Sequence, residues 1–127
     1  MAIKLKRAYE VPESGDGFRV LVDRLWPRGV SRSSARIDLW LKEIAPSTAL
    51  RKWFGHDPSK WAEFREQYFA ELDNNPEAIE RLRAHVDQGM VTLVYGAKDQ
   101  EHNHAAALKE YLENLMSHSW MPPPLRR

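Results

Sequence analysis

Apolar positions along the chain fall into runs of distinct period. Val20, Leu21 and Val22 follow Phe18 with only Arg19 intervening, and Val91 to Tyr95 forms a second compact apolar run. Runs of this kind suit strands covered on both faces. Ile3 to Arg7 instead alternates apolar and basic residues, as a half-buried or edge strand does. Ile37, Leu39 and Leu41 alternate with Asp38 and Trp40 and predict a further strand. Between the first two strands, Pro12, Gly15, Asp16 and Gly17 supply turn chemistry, and Trp26-Pro27-Arg28-Gly29 breaks regular structure again. A short helical turn is predicted over Ser31 to Ala35.

Helical spacing dominates the middle of the chain. Ser47 precedes a helix-favouring run through Phe54, where its hydroxyl can cap the first turn, and Gly55 is placed to end that helix. Asp57 offers another cap with Pro58 at the first helical position, after which Trp61, Phe64, Tyr68 and Leu72 recur at intervals of three and four. Asn75 and Pro76 restart the pattern, with Ile79, Leu82 and Val86 on one face and Gly89 as terminator. Leu108, Tyr111, Leu112 and Leu115 mark a final helix.

Together these elements predict a single compact three-layer α/β domain over residues 1–116, a mostly parallel sheet of about four strands with helices on both faces. The connection over residues 8–17 contains no helix, which opens antiparallel pairing of strands one and two, and whether they run parallel is left open. Residues 117–127 show no periodicity, carry three consecutive prolines and are expected to form a loose tail.

Composition narrows the function classes. With 127 residues, 43% hydrophobic and 29% charged, there is room for one core only. The absence of cysteine removes disulfides, thiolate metal sites and cysteine nucleophiles. No apolar run approaches the length of a membrane span and no export address is visible, so a cytoplasmic location is expected. The net charge of +1 conceals a basic first half: residues 1–56 hold 11 Lys/Arg against 6 Asp/Glu, and residues 57–127 hold 8 against 12. That balance favours a phosphate-sized anion over a polynucleotide.

In open α/β sheets ligands gather beyond the carboxyl ends of the strands. One strong strand exits into Asp23 to Gly29 and the other into Gly96 to His104; as parallel neighbours they would share a cleft. Arg24 and Arg28 can clamp a carboxylate or phosphate in bidentate fashion, with Asp23 orienting one guanidinium, or Asp23 and an arginine can form a structural pair that locks the loop. His104, in the first turn of the last helix, is a candidate base or donor, against the structural alternative, which the residues favour, that it caps its own helix or hydrogen-bonds a strand-end carbonyl. Asp23 and His104 are thus the catalytic candidates, and Arg24, Arg28, Arg51, Tyr95, Lys98, Asp99 and Asn103 the ligand-binding ones. His102 and His104 would diverge by about 200° on a helix, so a two-histidine metal site is disfavoured even with Asp99, or His56 and Asp57, as further ligands. No metal and no other cofactor is expected. Trp40, Trp53, Trp61 and Phe54 read mainly as core.

The run from Asp16 to Gly29, DGFRVLVDRLWPRG, occurs with Ala45-Pro46-Ser47, Leu50 to Asp57 and Asn103-His104-Ala105. On these strings the chain resembles the YeaO-like branch of the domain-of-unknown-function 488 family, from about residue 3 to residue 116. The resemblance implies a compact α/β domain in which a strand ends at Asp23. Other branches often carry Cys-His-Arg where this chain reads Asn103-His104-Ala105, so only the histidine carries over and a thiol-dependent role is excluded. A transcription-regulator label attached to such sequences finds no helix-turn-helix pattern here.

Three readings follow. The leading one is a small protein that binds or processes a phosphorylated or carboxylated metabolite in the strand-end cleft. The second is a non-catalytic interaction module, which predicts an exposed patch containing Trp26 and Trp53. The third, nucleic-acid binding, predicts a continuous basic surface through Arg19, Arg28, Arg32 and Arg36. The oligomeric state is left open.

Overall fold

A computed structural model of the chain describes residues 2–119. Strands β1 (Ile3–Arg7), β2 (Phe18–Leu21), β3 (Leu39–Trp40) and β4 (Val91–Tyr95) form one sheet in the order β1-β4-β2-β3, with every neighbouring pair parallel. The helices are α1 (Arg32–Ala35), α2 (Thr48–Phe54), α3 (Trp61–Asp73), α4 (Pro76–Gln88) and α5 (His104–Ser119). The single α/β domain with a parallel sheet is as expected. The part of the expected tail beyond Ser119 lies outside the described residues.

The question left open about the first two strands is answered: they run parallel and do not pair with each other. β4 sits between β1 and β2, in register Ile3↔Val91 and Phe18↔Val91. Residues 8–17 cross that intervening strand without a helix, carrying only a 3-10 turn at Ser14–Asp16. The physical reason is reach: ten extended residues span roughly 33 Å. That exceeds the two strand spacings of about 4.8 Å each and the return along a five-residue strand of about 17 Å.

Alternation along the strands sorts side chains onto two unlike faces. Ile3, Val20, Val22, Val91, Leu93 and Tyr95 join the main core with Phe64, Tyr68, Leu82, Leu108 and Leu112, so α2 to α5 all cover this face. Ala8, Leu21 and Val94 point the other way, under Trp26, Val30, Ile37 and Trp40. On that second face the covering layer is loop, with α1 and the 3-10 turn its only helical parts among the described residues.

Beside this smaller cluster the loop-covered face holds an ionic network. Asp16 is fully buried and receives Arg19 Nη1 at 2.6 Å and Lys6 Nζ at 3.1 Å, with Lys4 Nζ at 3.2 Å. Arg19 also donates to the Ala35 carbonyl at 2.8 Å, and Lys6 to Glu13 at 2.7 Å. The Thr92 hydroxyl donates to the Asp16 carbonyl at 2.7 Å. Burial alone would raise the Asp16 carboxyl, but these donors and the Glu13 amide hold it far below the usual carboxylate range.

Local chemistry sets the helix boundaries as expected. The Ser47 hydroxyl accepts from the Leu50 amide at 3.1 Å and Gly55 closes α2 in the left-handed region at φ 54°. Asp57 caps a 3-10 turn, Pro58–Lys60, which runs directly into α3. Pro76 opens α4 and Gly89 ends it. Among the described residues no helix is long and apolar enough to cross a membrane.

Candidate functional site

β2 and β4 are parallel neighbours, so the loops leaving them emerge side by side. Asp23 Oδ2 accepts the Gly96 amide at 2.9 Å and ties the two loops directly. The WPRG segment closes on itself: Trp26 Nε1 donates to the Val30 carbonyl at 2.6 Å and the Val30 amide to the Pro27 carbonyl at 3.3 Å. Gly29, at φ 80°, takes the third position of this turn, which glycine alone adopts without strain. Arg28 is thereby held at the exposed corner.

These loops, the start of α5, and α2 with the segment preceding it enclose a cleft of about 550 Å³. Asp23, Arg24, Arg28, Arg51, Asn103 and His104 line it, together with His56, His102, Phe54, Phe64, Leu25, Ala45, Pro46, Gly96 and Ala97. Three guanidiniums therefore face a single carboxylate. The volume falls in the range of roughly 300–1,000 Å³ usual for small-molecule sites.

The acid and base candidates meet. His104 Nε2 lies 3.0 Å from Asp23 Oδ1 and 3.0 Å from the Val22 carbonyl. A carbonyl only accepts, so Nε2 carries a hydrogen and aims it there; Asp23 Oδ1 is close but out of line and makes no hydrogen bond of its own. Asp23 faces Gly96 and His104, so the expected Asp–arginine pair does not form. Arg24 Nη2 instead donates to the Ala45 and Pro46 carbonyls, each at 3.3 Å, while its Nε is buried without a partner.

Asn103 is buried and caps α5, its Oδ1 accepting the Ala106 amide at 2.8 Å while its Nδ2 donates to the Asp99 carbonyl at 2.9 Å. Tyr95, Lys98 and Asp99 stand apart from the cleft lining. Tyr95 is an odd-numbered position of β4 and belongs to the helix-covered core, where burial pushes its phenol up. Lys98 is exposed. Asp99 folds its own loop, accepting the His102 and Glu101 amides at 2.9 Å and His102 Nδ1 at 3.0 Å. The His102 amide, then the Glu101 amide, then the His102 ring hold its carboxyl down at about 2.

Several residues that shape the site were not legible as site residues. Arg7 Nε donates to the Ala97 carbonyl at 2.8 Å, its guanidinium lies 5.0 Å from the Tyr9 ring, and the Tyr9 hydroxyl donates to the Arg28 carbonyl at 3.0 Å. The end of β1 thus braces both cleft loops. His56 sits in the left-handed region at φ 58°, a conformation that costs a non-glycine residue about 1 kcal/mol, and it lines the cleft. Among the described residues no group of three His, Asp or Glu is arranged to hold a metal ion.

The other two readings find less support in the geometry. Arg19 is buried on Asp16, so the expected basic surface lacks that member. Trp26 packs on Leu21 and Val94 and stands edge-on to Trp40 at 5.4 Å, with Arg32 stacked over it at 4.4 Å. Trp53 is half-buried under Lys60. Among the described residues the exposed large apolar ones are instead Tyr9, Val11 and Leu25.

Fold and cleft together define a small single-domain α/β protein with a cationic, ligand-sized hollow at the carboxyl ends of a parallel sheet. Its sequence places it further: the profile described as the inactive DUF488-N3 subclade matches residues 2–121, and the chain belongs to that family. Uncharacterized protein YeaO of Escherichia coli (strain K12) is 45% identical over 115 residues, covering 91% of this chain and 100% of that protein. Uncharacterized protein Rv3073c of Mycobacterium tuberculosis (strain ATCC 25618 / H37Rv) is 37% identical over 110 residues, covering 87% and 92% respectively. No solved structure matches the chain.

Proposed function

We propose that the protein binds a small phosphorylated or carboxylated metabolite of the cytoplasm in the strand-end cleft, and does so without turning it over. The observation that carries this reading is the excess of guanidinium in the hollow: Arg24 and Arg28 from the loop after β2 and Arg51 from α2 face Asp23 alone. Bidentate pairing with a carboxylate or phosphate is the chemistry such an arrangement suits.

Two features favour binding over catalysis. Asp23 Oδ2 is committed to the Gly96 amide and His104 Nε2 to the Val22 carbonyl, so both candidate proton carriers already hold the loops together. The family description, inactive, agrees with a chain that reads Asn103-His104-Ala105 where other branches carry a cysteine and an arginine beside the histidine.

The test is thermal unfolding of the full chain in the presence of inorganic phosphate and of citrate, compared with the double variant Arg28→Gln, Arg51→Gln. Ligand at a hundred times its Kd stabilises by about 2.7 kcal/mol. An upward shift that disappears in a folded double variant supports the reading. Equal shifts in both proteins, or none in either, overturn it.

A further inference from the structure

We infer that the ligand of this cleft is a planar aromatic acid, one anionic head group carried on an aromatic ring; the inference rests on the anion-binding reading above and specifies its ligand. Size is the first argument. A hollow of about 550 Å³ holds roughly eighteen waters at ~30 Å³ each, far more than an isolated oxyanion displaces. The remainder has to be filled by the body of the ligand.

The walls say what that body is. Phe54 and Phe64 stack at 4.4 Å with 25° between their planes, and Trp61 continues the stack from Phe64 at 5.7 Å. His102 meets Trp61 edge-on at 5.5 Å and His56 lies 6.3 Å from Phe54. Phe54, Phe64, His56 and His102 thus bring four rings to the cleft lining, with Trp61 packed behind them, which favours a flat, polarisable partner over a saturated or heavily hydroxylated one.

Leu25 supplies an independent observation. It lines the cleft yet is 66% exposed, one of three large apolar residues left in water among the described residues. The two phenylalanines are buried by the core whatever the cleft holds, whereas Leu25 gains cover only from something seated in the hollow.

Charge placement limits the head group to one. Arg24 already donates to two carbonyls, which leaves the exposed Arg28 and Arg51 as the free guanidiniums for an anion. Asp23 repels a second negative group, so a ligand charged at both ends is disfavoured.

Titration calorimetry of the full chain with acetate, inorganic phosphate, benzoate, phenyl phosphate and benzyl alcohol tests this. Benzoate should bind about tenfold or more tightly than acetate, and phenyl phosphate likewise over phosphate, since each ring buries apolar surface. Benzyl alcohol should bind more weakly than both aromatic anions, and the stronger of these two names the head group. Leu25→Asn, on the exposed rim, should narrow the aromatic preference several-fold, and an undiminished preference overturns the inference. Equal affinity for aromatic and simple anions overturns the inference and leaves the anion-binding reading standing. Benzyl alcohol binding as tightly as benzoate, or no binding of any anion, overturns both.

Discussion

Asp23 and Gly96, far apart in the chain, are joined by a hydrogen bond from the Gly96 amide to Asp23 Oδ2 at 2.9 Å. A Cβ on Gly96 would lie only 3.0 Å from that oxygen, so glycine is what lets the carboxylate approach. Asp23→Ala leaves the Gly96 amide without its acceptor and should lower stability by about 1–3 kcal/mol. Urea unfolding measures it; a loss below a few tenths of a kcal/mol would show that the two loops are held by other contacts.

Asp16 should make the protein acid-sensitive. Its carboxyl is held well below the unfolded value, so the denatured chain takes up the proton first as pH falls. Its stabilisation is complete above about pH 4 and drains away as pH drops toward the folded value. Asp99, at about 2, adds a second contribution that fades between about pH 4 and 2. Asp16→Asn leaves Lys6 and Arg19 facing a neutral amide and should cost about 3–5 kcal/mol near neutrality. Unfolding free energies measured from pH 6 to 2 should show a flatter profile for the variant than for the parent.

The opposite sign holds at the alkaline end. The hydrogen bond to Glu13, then contacts with Asp16, outweigh burial and raise the Lys6 ammonium. Its contribution is intact below its ordinary value and disappears as pH rises through the raised one. Stability measured from pH 9 to 12 should fall more steeply in the parent than in Lys6→Met.

Gly17 opens β2 at φ 66°, and a Cβ there would drive into the Met90 carbonyl and lie 2.8 Å from Met90 Cβ. Gly17→Ala combines left-handed strain with a backbone clash at the centre of the sheet. It should destabilise by more than about 2 kcal/mol, read as a lowered denaturation midpoint. A near-neutral effect would mean that the β2–β4 entry relaxes freely.

Tyr9→Phe removes only the hydroxyl that reaches the Arg28 carbonyl. The bond is solvent-exposed, so global stability should change by about 0.5 kcal/mol. The local effect should be larger: amide exchange at Val30, whose N–H closes the turn on Pro27, is expected to accelerate. Unchanged exchange would assign the bracing to Arg7 alone.

Much of the fold was legible because local rules decided it. Ser47, Gly55, Pro76 and Gly89 carry their structural meaning in their own chemistry, and the two apolar runs at Val20 and Val91 could only be buried strands. The cleft followed from those strands being parallel neighbours. What escaped was decided by partners distant in sequence. Ile3 to Arg7 reads as a half-wet edge, yet Lys6 is buried because Asp16 and Glu13 fold over it. Arg19 looked like surface charge, yet it is buried against Asp16, three residues back, and the Ala35 carbonyl. Tyr95 and Lys98 were placed at the cleft by their closeness to the strand end; the alternation of β4 and the exposure of the loop put them elsewhere.

The order β1-β4-β2-β3 has a temporal meaning as well. Among the described residues β1, which precedes the other three strands, pairs only with β4, which follows them, and β2 also waits for β4. Until residues 91–95 emerge, the sheet has no middle, and helices α1 to α4 must be kept from collapsing on themselves. Assembly of this domain is therefore a late, all-or-none event governed by long-range pairing, with a slow search and a period of vulnerability to aggregation before the final strand slots in.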